Sequence, residues 1–165
     1  MKITLRPFTA FLFLLTLYPV AAAQESSIRG TFRLDRQASD DINRAIEAAV
    51  VKPAARARLR RTNTAYQRVV INYTQQQVSI AFDQRRSIES PADGTPIQWT
   101  REDGERFYLS TEWQNGRLVQ RFKGEGEERV NTFTISADGR TLTLNVVARS
   151  KRLRLVYKLV YQRAS

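Results

Sequence analysis

From Gln67 to its C-terminus the chain alternates apolar and polar residues at period two, and short turn-forming runs cut that alternation into strands. Val69 to Tyr73 reads as one strand, and Val78, Ile80 and Phe82 set the face of the next. A weaker strand lies near Ser87 to Ser90, and after the turn Pro91-Ala92-Asp93-Gly94 another runs from Ile97 to Thr100. Phe107, Leu109, Thr111 and Trp113 share a face, Asn115-Gly116 is a hairpin cue, and Leu118, Gln120 and Phe122 share the returning face. Gly124 to Glu128 reads as a mobile acidic loop. Val130 to Ile135 and Thr141 to Val147 flank a second hairpin at Ala137-Asp138-Gly139, and Leu153, Leu155, Tyr157, Leu159 and Tyr161 form a closing apolar face. A row of strands joined mainly by hairpins has to hide its two edges, by closing into a barrel or folding into a sandwich. The nearly unbroken meander, with no long crossover, predicts a mostly β fold: an antiparallel up-and-down barrel of about eight to ten strands.

One more strand precedes this row. Ile28, Gly30, Phe32 and Leu34 alternate with Arg29, Thr31, Arg33 and Asp35. A helix is predicted next: Ser39 or Asp40 caps it, and Ile42, Ala45, Ile46 and Ala49 fall on one side. Pro53 ends that helix or opens a second at its first position, where the missing N–H costs nothing. The barrel therefore carries a helical insertion after its first strand.

Residues 1–23 read as a cleavable export signal. Lys2 and Arg6 supply the positive end, Phe8 to Val20 the apolar run, and Ala21-Ala22-Ala23 the small residues a signal peptidase requires. A retained anchor would need about 20 apolar residues, and no Cys follows the run to take a lipid. The mature chain is expected to begin at Gln24, to lack a transmembrane segment, and to occupy the periplasm or the extracellular space. Residues 24–165 then form one domain, long enough to fold without staples.

The chain contains no Cys and no His. Disulfides, imidazole-dependent triads and Cys/His zinc sites are thereby excluded, and no cofactor or metal site is read from the sequence. An enzyme would have to draw on Glu102, Asp103, Glu105 or Glu112 as an acid/base pair. Acidic residues beside turn glycines are turn formers first, so no catalytic residue is assigned.

The net charge is +11, of which Lys2 and Arg6 contribute two. After Gln24 the basic residues are Arg except at Lys52, Lys123, Lys151 and Lys158. Arg presents a planar fork suited to phosphate and carboxylate, although codon bias alone also produces Arg-rich chains. Arg56, Arg58, Arg60, Arg61, Arg85, Arg86, Arg149, Lys151 and Arg152 are the candidate anion-binding surface, able to steer polyanions if they converge at one barrel end. An anionic envelope surface is the expected partner for it; export argues against nucleic acid.

The opening Gly30-Thr31-Phe32-Arg33-Leu34-Asp35 resembles the Gly-x-Trp start of lipocalin-like barrels, and more closely that of exported bacterial proteins of unknown activity that begin Gly-Thr-Trp-x-Leu. The hairpin Ser136 to Thr143 and the ending Leu159-Val160-Tyr161-Gln162-Arg163 resemble the same set. Phe32 stands where lipocalins carry Trp. The resemblance implies a barrel with a small-ligand cavity and no catalytic residue. It also implies an Arg over the opening aromatic ring, a place Arg163 fits unless it simply ends the chain at the surface. Phe32, Phe82, Trp99, Trp113, Phe122 and Tyr157 are the candidate lumen residues for a small apolar or amphipathic ligand, or else the packing of a closed core.

Overall fold

The computed structural model describes residues 27–50 and 52–164. Its elements are β1 (Gly30–Asp35), α1 (Ile42–Ala49), α2 (Pro53–Thr62), β2 (Arg68–Tyr73), β3 (Gln77–Phe82), β4 (Ile88–Pro91), β5 (Ile97–Thr100), β6 (Arg106–Gln114), β7 (Arg117–Lys123), β8 (Glu127–Ile135), β9 (Thr141–Ser150) and β10 (Leu153–Arg163). The strands make one antiparallel sheet in the order β4-β3-β2-β1-β10-β9-β8-β7-β6-β5. The meander expected from the alternation is therefore the observed path, wrapped into a nearly closed barrel with two helices after the first strand. The expected export signal lies outside the described residues.

Period two decides which side chains share the interior. Thr111, Gln120, Asn131, Val146 and Tyr157 stand opposite one another across β6, β7, β8, β9 and β10. Their neighbours Leu118, Phe133, Leu144 and Leu159 form the next row, all buried. The stretch expected as a mobile loop is a tight turn: the Gly124 N–H donates to the Glu127 carbonyl at 2.9 Å and β8 begins at Glu127. This longer strand carries Arg129 and Asn131 onto the inward face.

Closure falls between β4 and β6. The Ser90 hydroxyl donates to Thr111 Oγ1 at 2.7 Å, the Gly94 N–H donates to the Thr111 carbonyl at 3.0 Å, and Asp93 bridges Glu112. Gly94 has φ +84°, and a β-carbon there would stand 3.1 Å from Glu112 Oε2, so the crossing admits only glycine comfortably.

The helices explain a difference from the sequence reading. Asp41, not Ser39 or Asp40, caps α1, accepting from the Asn43 and Arg44 N–H groups at 2.8 and 3.3 Å. Ser39 and Asp40 instead serve the sheet: Ser39 Oγ accepts from the Val160 N–H at 2.9 Å and Asp40 Oδ2 from the Lys158 N–H at 2.7 Å. β1 has left β10 at that point, and two side chains replace the missing ladder. α1 then buries Ile42 and Ile46 in the core. α2 starts at Pro53, as the sequence predicts, yet buries none of its ten residues.

The end of the barrel remote from the helices is sealed. Arg163 lies over the Phe32 ring at 4.6 Å from its centroid. Its Nε donates to Gly139 O at 2.7 Å, Nη1 to Arg29 O at 2.8 Å, and Nη2 to Ser27 O. A β-carbon on Gly30, whose φ is +143°, would collide with the Arg163 guanidinium. The glycine of the opening motif thus exists to let the closing arginine pass. Arg163→Ala is expected to lower the unfolding free energy by roughly 2–4 kcal/mol, from lost charge-assisted hydrogen bonds and ring contact. Gly30→Ala should cost less in the Arg163→Ala background than alone. Urea unfolding of the two single variants and the double checks this, and strictly additive losses would show that the residues do not meet.

Candidate ligand cavity

Above the sealed end the side chains no longer meet, and a cavity of about 860 Å³ opens toward the helices. Ala49, Ala55, Leu59 and Asn63 roof it, and the β3–β4, β5–β6, β7–β8 and β9–β10 turns form its rim. Asn131, Leu144 and Leu159 lie at its base. Two aromatic groups line it. Tyr66 packs on Phe82 with ring centroids 4.9 Å apart, beneath the Arg85 guanidinium. Trp99 packs on Phe122 at 5.1 Å and on Phe107 at 6.0 Å, and Arg101 lies over the Phe107 ring. The second group, with Leu109, forms an apolar cluster separate from the main core.

Of the six candidate lumen residues, Phe82, Trp99, Phe122 and Tyr157 line this cavity. Phe32 and Trp113 do not: Phe32 is fully buried under Arg163, and Trp113 packs against Tyr73 with centroids 5.8 Å apart. They fill the sealed end, where the interior tapers and aromatic volume is needed for packing.

The polar feature of the cavity is one the sequence reading missed. Arg129 projects inward from β8, and its guanidinium has donors only. Nε donates to Asn131 Oδ1 at 2.9 Å, Nη1 to Asn63 Oδ1 at 2.9 Å and to Thr62 O at 3.4 Å, and Nη2 to the Tyr157 hydroxyl at 3.1 Å. Among the described residues no carboxylate pairs with it. Its donor polarity propagates. Asn131 must turn its oxygen to Arg129, so its Nδ2 donates to Gln120 Oε1 at 3.1 Å, and Gln120 Nε2 is left pointing at nothing. Trp113 Nε1 and the Tyr161 hydroxyl are likewise buried without a hydrogen-bond partner. Burial pushes the Tyr161 hydroxyl pKa well above its ordinary value. The phase of β8 was the available signal, since Phe133 and Ile135 inside put Arg129 and Asn131 inside too.

The nine candidate surface cations divide. Arg58, Arg85, Arg86, Arg149 and Arg152 gather at the rim, joined by Lys52, Arg101 and Arg129. Arg56, Arg60, Arg61 and Lys151 stay off it; Arg60 binds Glu47 on α1 at 2.9 Å, and Arg56 donates to Val50 O at 2.6 Å. Five glutamates share the rim, Glu102, Glu105, Glu125, Glu127 and Glu128, so the charge there is mixed with a positive excess. Arg85 binds Glu102 at 2.9 Å, and Arg58 reaches Glu105 at 3.1 Å and Glu127 at 3.7 Å. The acids weighed for an acid/base pair are all held by arginines: Glu102 by Arg85, Asp103 and Glu105 by Arg101, Glu112 by Arg121. The Arg101 hydrogen bond holds the Asp103 carboxyl below the usual range, the opposite of what a proton donor needs.

No protein-family model matches the sequence, and no curated protein matches it. Solved structures do. Apo lipid binding protein 8 (LBP-8) of Caenorhabditis elegans aligns over 84% of this chain and 96% of its own, with TM-score 0.60 and 9% identity. The REP1-NXSQ fatty acid transporter aligns over 85% of this chain and 98% of its own, with TM-score 0.56 and 13% identity. Human cRBP IV aligns over 82% and 97%, with TM-score 0.54 and 21% identity. At such identities the likeness is one of fold. The chain shares the antiparallel barrel fold of these structures, with ten strands and the helical pair between the first and second.

Gln120→Leu exchanges one unpaired buried donor, its own Nε2, for another, Asn131 Nδ2, so the unfolding free energy is expected to change by less than about 1 kcal/mol. Asn131→Leu should lower it by roughly 2–4 kcal/mol, stranding Gln120 Oε1 and an Arg129 N–H. Urea titrations distinguish the two, and equal losses would refute the network's polarity. For Tyr161, a folded pKa above the unfolded value of about 10 means stability is intact below that pH and falls as pH rises beyond it. Tyr161→Phe should flatten that alkaline fall in unfolding experiments.

Proposed function

We propose that this protein is an exported, non-enzymatic carrier that holds one small amphipathic ligand in its barrel. The observation that carries the reading is Arg129: a guanidinium with no carboxylate partner among the described residues, in the wall of the cavity. Its present acceptors are neutral oxygens, which satisfy hydrogen bonds but not charge. An ionised headgroup on Arg129 and Tyr157 would supply the missing charge, with the apolar body against Phe82, Trp99, Phe122 and Leu144. The volume of about 860 Å³ falls within the usual range for small-molecule sites. Two of the structural neighbours are a fatty acid transporter and a lipid binding protein, which agrees with this class of ligand. Export rests on the pattern of residues 1–23, and protein isolated from its own cells should begin at Gln24 by N-terminal sequencing.

A second reading is favoured by the rim. Five of the candidate cations surround the cavity mouth, so an anionic envelope surface docked there would meet the ligand entrance. No helix among the described residues is long and apolar enough to cross a membrane.

The two readings separate by salt and by volume. Lumen binding should persist when the screening length falls from ~10 Å at 0.1 M to ~3 Å at 1 M, whereas attraction to anionic vesicles should fade. Leu144→Trp, which fills the cavity base, should weaken myristate binding at least tenfold, read by calorimetry, while leaving vesicle attraction intact. Binding that survives the filled cavity and vanishes in salt would replace the first reading with the second.

A further inference from the structure

The attachment of α2 is unusually thin. None of its ten residues is fully buried: Leu59 packs half-buried against the core, and exposed arginines pair with Glu47 on α1 and with Glu105 and Glu127 at the barrel rim. What enters the barrel is its C-cap residue, Asn63, only 6% exposed. Asn63 Nδ2 donates back to Leu59 O at 2.9 Å, holding the helix end, while Oδ1 accepts from Arg129 Nη1 at 2.9 Å and from the Tyr157 hydroxyl at 3.1 Å. Thr62 O, one residue earlier, takes a further Arg129 contact at 3.4 Å. The roof of the cavity is thus pinned to its polar wall by a carboxamide oxygen.

That oxygen sits where a ligand headgroup would sit. We propose that Asn63 is an internal stand-in for the ligand's anionic group and thereby sets the ligand specificity of the cavity. This rests on the lumen reading above. A carboxylate forms stronger, charge-assisted hydrogen bonds to guanidinium than a neutral amide does. An acid therefore displaces Asn63 from Arg129 and Tyr157, whereas a neutral amphipath of the same length has no means to do so. Displacement frees the end of a helix whose remaining hold on the barrel is the half-buried Leu59 and the exposed ion pairs of Arg58, so loading with an acid loosens the roof. The empty protein lowers the apparent affinity of every acid by the fraction of molecules in which Asn63 already occupies Arg129.

The test compares myristate with myristyl alcohol on the full chain. Asn63→Ala removes the competitor, and myristate should bind about tenfold tighter with the alcohol unchanged. Asn63→Asp installs a permanent carboxylate of the same shape on Arg129, and myristate should bind about tenfold weaker, again with the alcohol unchanged. Thermal melting of both variants establishes that they fold. Hydrogen exchange should show α2 amides losing protection when wild type takes up myristate and not the alcohol. Variants that shift acid and alcohol together would make Asn63 a structural cap and overturn the inference. Weaker myristate binding by Asn63→Ala would make Asn63 part of the headgroup site and overturn it too. Should wild type bind neither probe, the lumen reading falls first and takes this one with it; binding of both without an Asn63 effect sinks the inference alone.

Discussion

A sheet of ten strands has two edges, here β4 and β5, and the common interior of this molecule depends on the sheet closing on itself. It does so where β4 meets β6, one strand in from the β5 edge: Thr111 takes the Ser90 hydroxyl and the Gly94 N–H, and Asp93 reaches Glu112. Closure there turns the alternation of every strand into a common interior. β5 pairs only with β6, so it stays outside the crossing and carries Trp99 toward Phe107 and Phe122 as a wall of its own. The main core and this aromatic wall form two clusters joined through Ile88, which packs against both, and the cavity opens beside them.

Polarity inside that space follows from one residue type. Arg129 donates and never accepts, so each amide beyond it has a forced orientation, and the unpaired Gln120 Nε2 marks where the chain of donors ends. A Gln or Lys in place of Arg129 would not impose this order: the first can flip, and the second offers no fork. The interior is therefore specified toward acceptors, whether they come from the protein or from a ligand.

Much of the fold was legible because period two is a local property. The strands, the hairpins at Asn115-Gly116 and Ala137-Asp138-Gly139, the start of α2 at Pro53 and the contact of Arg163 with Phe32 all follow from residues near one another or from the opening motif. What escaped the sequence is of another kind. Asp41 caps α1 because Ser39 and Asp40 are taken by β10, a partner more than a hundred residues away. Phe32 and Trp113 belong to the sealed end rather than the cavity because the barrel's level at each strand depends on its stagger, which alternation does not encode. Arg129 was hidden because β8 begins at Glu127, three residues before the expected start at Val130.

Two arginines, one at each end, show how the same side chain serves opposite purposes. Arg163 spends its donors on main-chain carbonyls of Gly139, Arg29 and Ser27. Those oxygens belong to the backbone framework and cannot leave without unfolding it, so that end is closed for the life of the fold. Arg129 spends its donors chiefly on side chains, Asn131, Asn63 and Tyr157, and a side-chain acceptor leaves by a rotamer change. Where the acceptors come from thus makes the first arginine a seal and would let the second act as the latch proposed above. A carrier of the proposed kind needs both, because a container rigid at one end can open at the other without losing the register that shapes its interior.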